Sequence, residues 1–91
     1  MDKKEMRHYS IFSYSLSSLP QHKKVKFLRE LFGYKETKNK KSYSHDGLLN
    51  ELNGEKLGSN VILAPAEHIV KISNFFNSYT VSVTIKEVWI R

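Results

Sequence analysis

The stretch FSYSLSSLPQHKKVKFLRELFGYK, from Phe12 to Lys35, joins a strand pattern to a helix pattern through a short polar turn. β-Branched and aromatic residues between His8 and Leu16 predict a strand that has apolar contacts on both faces. Ser17 or Ser18 is expected to cap the helix that follows, and Pro20 suits its first turn because no backbone donor is needed there. The turn is therefore interpreted as a joint between a strand and a helix.

The helix is predicted from apolar residues at helical spacing, and it is expected to end at Gly33 in a left-handed cap. The stripe expected to face the core consists of Val25, Leu28, Leu31 and Phe32. The other face is expected to carry the basic side chains of Lys23, Lys24, Lys26 and Arg29.

The rest of the chain alternates between short apolar runs and polar connections. Loops are predicted over residues 35–42 and 50–59, and a second strand is predicted from Tyr43 to Leu49. A turn or bulge at His45-Asp46-Gly47 is equally plausible. A third strand over Asn60–Ala64 and a second helix over Ala66–Asn77 then follow, with Ile69, Ile72 and Phe76 on one stripe of that helix and Val70 beside it.

The final strand is predicted over Thr80–Ile90. Its apolar residues change parity, since Val81, Val83 and Ile85 share one face while Val88 and Ile90 share the other. A bulge near Lys86 and Glu87 would reconcile the two sets.

The predicted order of elements is strand, helix, strand, strand, helix, strand, which is the split βαβ pattern. It predicts an α+β, ferredoxin-like sandwich, in which a four-stranded antiparallel sheet carries two helices on one face. Residues 1–91 are expected to form a single domain, with a flexible N-terminal segment over residues 1–7.

The composition narrows the class of protein. A chain of 91 residues has room for one hydrophobic core and no second lobe, which argues against a large multi-substrate enzyme. The absence of cysteine excludes disulfides and thiolate nucleophiles, and a cytoplasmic location is expected. No apolar run is long enough to span a bilayer, so we expect a soluble protein and no membrane partner.

The polar residues form no catalytic or metal-binding pattern. His45 and Asp46 supply two potential metal ligands but no third, and the serines near the first strand lack a Gly-x-Ser-x-Gly elbow. Gly54 and Gly58 precede a predicted strand, whereas a nucleotide-binding loop precedes a helix. No catalytic residue, metal or cofactor is therefore expected.

Charge is distributed unevenly along the chain, whose net charge is +6. Eleven basic and four acidic residues lie before Ser42, whereas four basic and five acidic residues lie from Ser42 onward. A basic first half favours a polyanionic partner, and a preponderance of lysine over arginine favours contacts with phosphates over contacts with bases. The predicted nucleic-acid-binding residues are Lys23, Lys24, Lys26, Arg29, Lys38, Lys40 and Lys41. The alternative is that these lysines only solvate the surface.

Aromatic residues on the first strand allow two interpretations. Tyr9, Phe12 and Tyr14 are compatible with a sheet surface that stacks single-stranded bases, or with a packed core or dimer face. The core or dimer face is favoured because Val61-Ile62-Leu63 stands where base-binding sheets carry a glycine-and-aromatic signature.

The stretch HYSIFSYSLSSLPQHKKVKFLRELFGYK resembles the opening of the small CRISPR-associated ferredoxin-like proteins that act as nucleases or as dimeric adaptors in spacer integration. The matching features are Tyr14-Ser15 at the strand end, the polar turn from Ser17 to His22, the basic helix from Lys23 to Phe32 and the Gly33-Tyr34 exit, which together cover about a third of the chain. The resemblance implies a ferredoxin-like fold and a role in handling nucleic acid. Family members proposed to cut nucleic acid hold a divalent metal with a carboxylate at the strand end, where this sequence has Ser15.

Together these features predict a non-catalytic protein that binds DNA or RNA through backbone phosphates, or an accessory subunit of a complex that handles nucleic acid. A protein-interaction adaptor and a metal-dependent nuclease are the alternatives. Because the last strand of a split βαβ sheet lies at an edge, a homodimer or heteromeric contact is expected there. The predicted interface residues are Val81, Val83, Ile85, Val88, Trp89 and Ile90.

Overall fold

The structure is a computed structural model that describes residues 6–90. Its elements, in chain order, are β1 (Arg7–Tyr14), α1 (Gln21–Phe32), β2 (Gly33–Lys38), β3 (Lys41–Asp46), α2 (Leu48–Glu51), β4 (Glu55–Gly58), β5 (Val61–Pro65), a 3₁₀ turn (Ala66–His68), α3 (Ile69–Ser78) and β6 (Val83–Ile90). Of the N-terminal segment predicted to be flexible, residues 1–5 lie outside the described residues, and Arg7 is the first residue of β1.

Four strands form one antiparallel sheet in the order β4-β5-β1-β6. This confirms the predicted α+β class with a four-stranded antiparallel sheet. Along β1 the side chains alternate, so that Ser10, Phe12 and Tyr14 are buried on one face while Arg7 and Ser13 on the other face are exposed.

The core lies between the buried face of the sheet and the helices α1 and α3. Phe27 of α1 lies at its centre, with its ring centroid 5.6 Å from that of Tyr14 and 5.7 Å from that of Phe76. Phe75 and Tyr79 complete the surrounding rings at 5.0 and 5.3 Å. Because rings of both helices meet a β1 side chain, α1 and α3 pack against the same face of the sheet.

Helix α1 is rotated relative to the predicted orientation. Its buried residues are Phe27 and Leu31, whereas Val25 and Leu28, which we predicted to face the core, are 42% and 39% exposed. Ring packing around Phe27 explains this difference, because an aromatic side chain buries more apolar area than valine does. The helix follows Pro20 with no side-chain cap, so the prediction that Ser17 or Ser18 caps it was wrong.

Gly33 ends α1 at a positive φ of 84°, as predicted, but its extended ψ of 178° differs from the predicted left-handed cap; its backbone N–H donates to the carbonyl oxygen of Arg29. The chain then forms an antiparallel hairpin of β2 and β3, whereas we predicted a loop over residues 35–42 and a sheet strand from Tyr43 to Leu49. Asn39 and Lys40 have φ values of 50° and 66°, which are typical of the two-residue turn that joins tightly twisted strands.

Two glycines, Gly33 and Gly47, allow the backbone to approach itself closely at the base of this hairpin. A Cβ atom on Gly33 would collide with the backbone oxygen of His45, and one on Gly47 would collide with the backbone of Gly33 and Leu31. The two ends of the hairpin therefore approach each other more closely than any other residue type allows.

Two further differences concern the main sheet. Its second strand along the chain is β4, which lies where we predicted a loop over residues 50–59. The pairing of β6 with β1 runs without a break from Val83 to Ile90, so the bulge predicted near Lys86 and Glu87 is absent. The change of parity instead reflects apolar residues on both faces of β6.

Candidate nucleic-acid interface

The four basic residues predicted on α1 do not share one face. Lys23 and Lys24 flank the buried stripe on opposite sides, because Phe27 lies four positions from one and three from the other. Lys26 and Arg29 point farther from the core and are exposed, while Lys24 is half-buried. Lys23, Lys26 and Arg29, at intervals of three residues, therefore lie along one side of the helix, whereas Lys24 lies on the other side of the buried stripe, which corrects the predicted basic face for that residue.

The three lysines predicted in a loop lie together at the tip of the β2–β3 hairpin. Lys38 and Lys41 are the last cross-strand pair, and Lys40 occupies the turn between them. All three are exposed. Four lysines and two carboxylates lie within residues 33–46, so the hairpin carries a positive charge of its own.

This hairpin stands apart from the main sheet. In the described chain β2 and β3 pair only with each other, and every residue of β3 is exposed. The protein measures 54 Å along its longest axis, and its radius of gyration is 15.0 Å, against about 12 Å for a compact chain of this length. Strands of six residues extend about 20 Å, a length compatible with this elongation.

Aromatic side chains occupy one face of the hairpin. The rings of Tyr34 and His45, which form a cross-strand pair, stack with centroids 4.4 Å apart and planes inclined by 17°. The guanidinium carbon of Arg29 lies 4.9 Å from the Tyr34 ring centroid, which is within the range of a cation–π contact. The same arginine therefore belongs to α1 and to the aromatic group of the hairpin.

Glu36 lies on the same face of the hairpin as Tyr34 and His45, and its negative charge offsets part of the positive charge of the hairpin. Its carboxylate is 3.3 Å from Nε2 of His45 and 3.4 Å from Nζ of Lys38. Tyr43, the cross-strand partner of Glu36, is 48% exposed.

Sequence reasoning missed Tyr34, Tyr43 and His45 as members of this surface. They can be identified only once the turn is known to lie at Asn39-Lys40, because residues 34, 36 and 38 then share one face with residues 41, 43 and 45. Lys35 lies on the other face of the hairpin, beside Thr37, Ser42 and Ser44.

A groove of about 380 Å³ lies at the junction of α1 with the hairpin. It is lined by His22, Val25, Lys26, Arg29, Glu30 and Tyr34. The groove joins Lys26 and Arg29 of the helix to Tyr34 on the aromatic face of the hairpin. The other predicted binding residues, Lys23, Lys24, Lys38, Lys40 and Lys41, do not line it.

A second cavity of about 410 Å³ lies between α1 and the end of α3. Lys23, Lys26 and Glu30 line it from α1, and residues 78–80 line it from the other side. Removal of the hydroxyl from water raises the pKa of Tyr79 to about 12, and the nearby Glu30 carboxylate adds to this rise. Burial likewise raises the pKa of Tyr14.

The other candidate residues have structural positions. Phe12 and Tyr14 are core residues, while Tyr9 is half-buried on the opposite face of the sheet. Among residues 6–90, no three histidine, aspartate or glutamate side chains lie together in a way that could hold a metal ion. The hydroxyls of Ser15 and Ser17 lie 3.0 Å apart and bond to each other within the joint before α1.

The predicted interface residues divide into two groups. Val81 is buried in the core, and Val83 and Ile85 pack partly against it, so these three side chains are not free for a partner. Trp89 is 53% exposed and stacks on His8 with ring centroids 4.3 Å apart, and Ile90 is also exposed. Val88 is half-buried on the face opposite α1 and α3.

None of the helices in residues 6–90 combines the length and the apolar character needed to cross a membrane. Comparisons of the chain with protein-family models, with curated proteins and with solved structures gave no match.

Proposed function

We propose that this protein binds nucleic acid through contacts with backbone phosphates and acts without catalysis, as an accessory protein in DNA or RNA handling. The observation that carries the proposal is the basic hairpin of β2 and β3, which projects from the sheet with Lys38, Lys40 and Lys41 at its tip. Arg29 at its base and Lys26 beside it extend the charge onto α1. A projecting two-stranded ribbon has the dimensions to follow a nucleic-acid backbone or groove.

We infer that the surrounding domain is ferredoxin-like, with an insertion. The strand order β4-β5-β1-β6, antiparallel between all neighbours, supports this assignment, as do the two long helices packed on one face. In this interpretation β2, β3 and α2 form an insertion between the first helix and the second strand of the split βαβ unit.

The proposal is tested by fluorescence anisotropy with labelled oligonucleotides at several salt concentrations. Binding is expected to weaken steeply with salt, and replacing Lys38, Lys40 and Lys41 by glutamine should lower the salt slope by about two to three units. The matched control replaces Lys56, Lys71 and Lys86 by glutamine, which removes the same charge from β4, α3 and β6, outside the hairpin. Equal losses in both triple variants would mean that net charge, and not the hairpin, determines binding.

Protein–protein contact through β6 is the second candidate function. It is favoured by the position of β6 at the edge of the sheet and by the exposure of Trp89 and Ile90. An edge strand offers unpaired backbone donors and acceptors to another strand, which supports a homodimer or heteromeric contact here. This contact would lie on a different element from the basic hairpin, so the two functions are compatible.

A further inference from the structure

We propose that the aromatic face of the hairpin recognises single-stranded nucleic acid, with a base stacked on Tyr43 and phosphates held by the lysines beside it. This face consists of Tyr34, Glu36, Lys38, Lys41, Tyr43 and His45. The inference rests on the proposed function and adds to it the strand state of the ligand and a contact with bases.

The cross-strand register places these six side chains on one surface. Tyr34 is opposite His45, Glu36 is opposite Tyr43, and Lys38 is opposite Lys41. Directly opposed residues of antiparallel strands lie on the same face, and every second residue along a strand does too. The face therefore carries rings near the base of the hairpin and two ammonium groups at its tip.

The rings at the base support one another. The ring of Tyr34 stacks on His45 of the neighbouring strand and contacts the guanidinium of Arg29. The Glu36 carboxylate in turn contacts Nε2 of His45. Such contacts reduce the freedom of these side chains before a ligand arrives, which lowers the entropic cost of binding.

Tyr43 is the free member of the group. Among the described residues its ring stacks on no other ring, and about half of the side chain is exposed. Lys41 lies two residues away on the same face, at a separation of about 7 Å along the strand. An exposed ring beside ammonium groups is the combination by which proteins bind single strands, because the ring stacks on a base and the cations contact the backbone.

A duplex fits this face less well. Its bases are already stacked on each other, so it can use the lysines but leaves the ring of Tyr43 without a partner. The other face of the hairpin has Lys35 as its single lysine, among Thr37, Ser42 and Ser44, and has no aromatic ring, so it offers no competing stacking surface.

The test is an anisotropy titration of the full chain with an unstructured strand of about 12 nucleotides, as DNA and as RNA, and with the corresponding duplexes. We expect at least one of the single strands to bind about tenfold more tightly than its duplex. Tyr43→Leu should weaken single-strand binding about tenfold without changing the salt slope, because stacking contributes affinity but no charge. Tyr43→Phe, which keeps the ring, should bind like the unmodified protein, and Trp89→Leu serves as a control for an exposed ring elsewhere.

The outcomes separate the inference from the proposed function. Equal affinity for single strands and duplexes in the unmodified protein would overturn the inference without the use of any variant. Unchanged single-strand affinity in a folded Tyr43→Leu protein would overturn it as well. In both cases a steep salt dependence would leave phosphate binding in place, whereas the absence of binding to all four probes would overturn both proposals.

Discussion

Tyr79 combines a position beside the core with a hydroxyl that lies near the Glu30 carboxylate but makes no hydrogen bond of good geometry within the described chain. A buried, unpaired hydroxyl costs about 1–3 kcal/mol. We therefore predict that Tyr79→Phe leaves stability at neutral pH unchanged or raises it by about 1 kcal/mol, as measured by urea unfolding. A clearly less stable variant would show that the hydroxyl donates to Glu30 in solution.

The same residue predicts how stability depends on alkaline pH. The pKa of Tyr79 rises from 10.0 to about 12 on folding, so the folded protein holds this proton more tightly than the unfolded chain. The resulting stabilisation is complete below pH 10 and is lost as the pH rises towards 12. Because phenylalanine has no hydroxyl to titrate, Tyr79→Phe should not lose this stabilisation. Its free energy of unfolding relative to that of the unmodified protein should therefore increase between pH 10 and 12. Tyr43→Phe, at an exposed position, is the control, and a constant difference across this range would contradict the assignment.

Glu36 places a negative charge among the cations of the hairpin. Because its carboxylate contacts Lys38 and His45, we predict that Glu36→Gln strengthens nucleic-acid binding by about threefold at low salt. Glu67→Gln is the matched control, since Glu67 also contacts a histidine but lies outside the hairpin. Weaker binding by Glu36→Gln would indicate that support of His45 outweighs repulsion of phosphate.

At the scale of elements, the strands and helices with strong apolar patterns were predictable, and the hairpin was not. Residues of β1, α1, β5, α3 and β6 carry enough apolar side chains to reveal their periodicity. The hairpin has no buried face and turns at Asn39-Lys40 without a glycine, so neither hydrophobic alternation nor the usual turn signal marks it. The lysines of the hairpin were predicted as binding residues from charge alone. Its aromatic residues could be assigned to one face only from the register of β2 and β3.

The orientation of α1 was ambiguous for a related reason. Apolar residues at positions 25, 27, 28, 31 and 32 cover a wide arc of the helix, and only packing against the sheet selects Phe27 and Leu31. We predict that Phe27→Ala lowers the free energy of unfolding by about 3–5 kcal/mol because it leaves a cavity among four rings. Val25→Ala, on the exposed side of the same helix, should cost less than about 1 kcal/mol. If denaturant unfolding showed similar losses of stability for Phe27→Ala and Val25→Ala, Val25 would face the core, as the sequence predicted.

At the scale of the whole molecule, the basic hairpin and the edge strand β6 are separate elements, and each has its own expected partner. We predict that the protein self-associates through β6 and that Trp89→Lys shifts it towards the monomer, because the exposed ring and the free strand edge lie together. Leu57→Lys introduces the same charge at an exposed residue of β4, the opposite edge of the sheet, and should leave the assembly unchanged. Sedimentation velocity decides, and a protein that stays monomeric at its highest concentration would remove the case for self-association.

The central claim is that the hairpin is the surface that meets nucleic acid, and mapping of backbone amide chemical shifts by NMR tests it most directly. Titration of the isotope-labelled protein with a short single strand should shift the amides of residues 34–45 and of Arg29, with Tyr43 among the most affected. Amides of β1 and β6 should change little, since these strands are separate from the hairpin. Shifts concentrated in β6, or none at saturating oligonucleotide, would contradict the account.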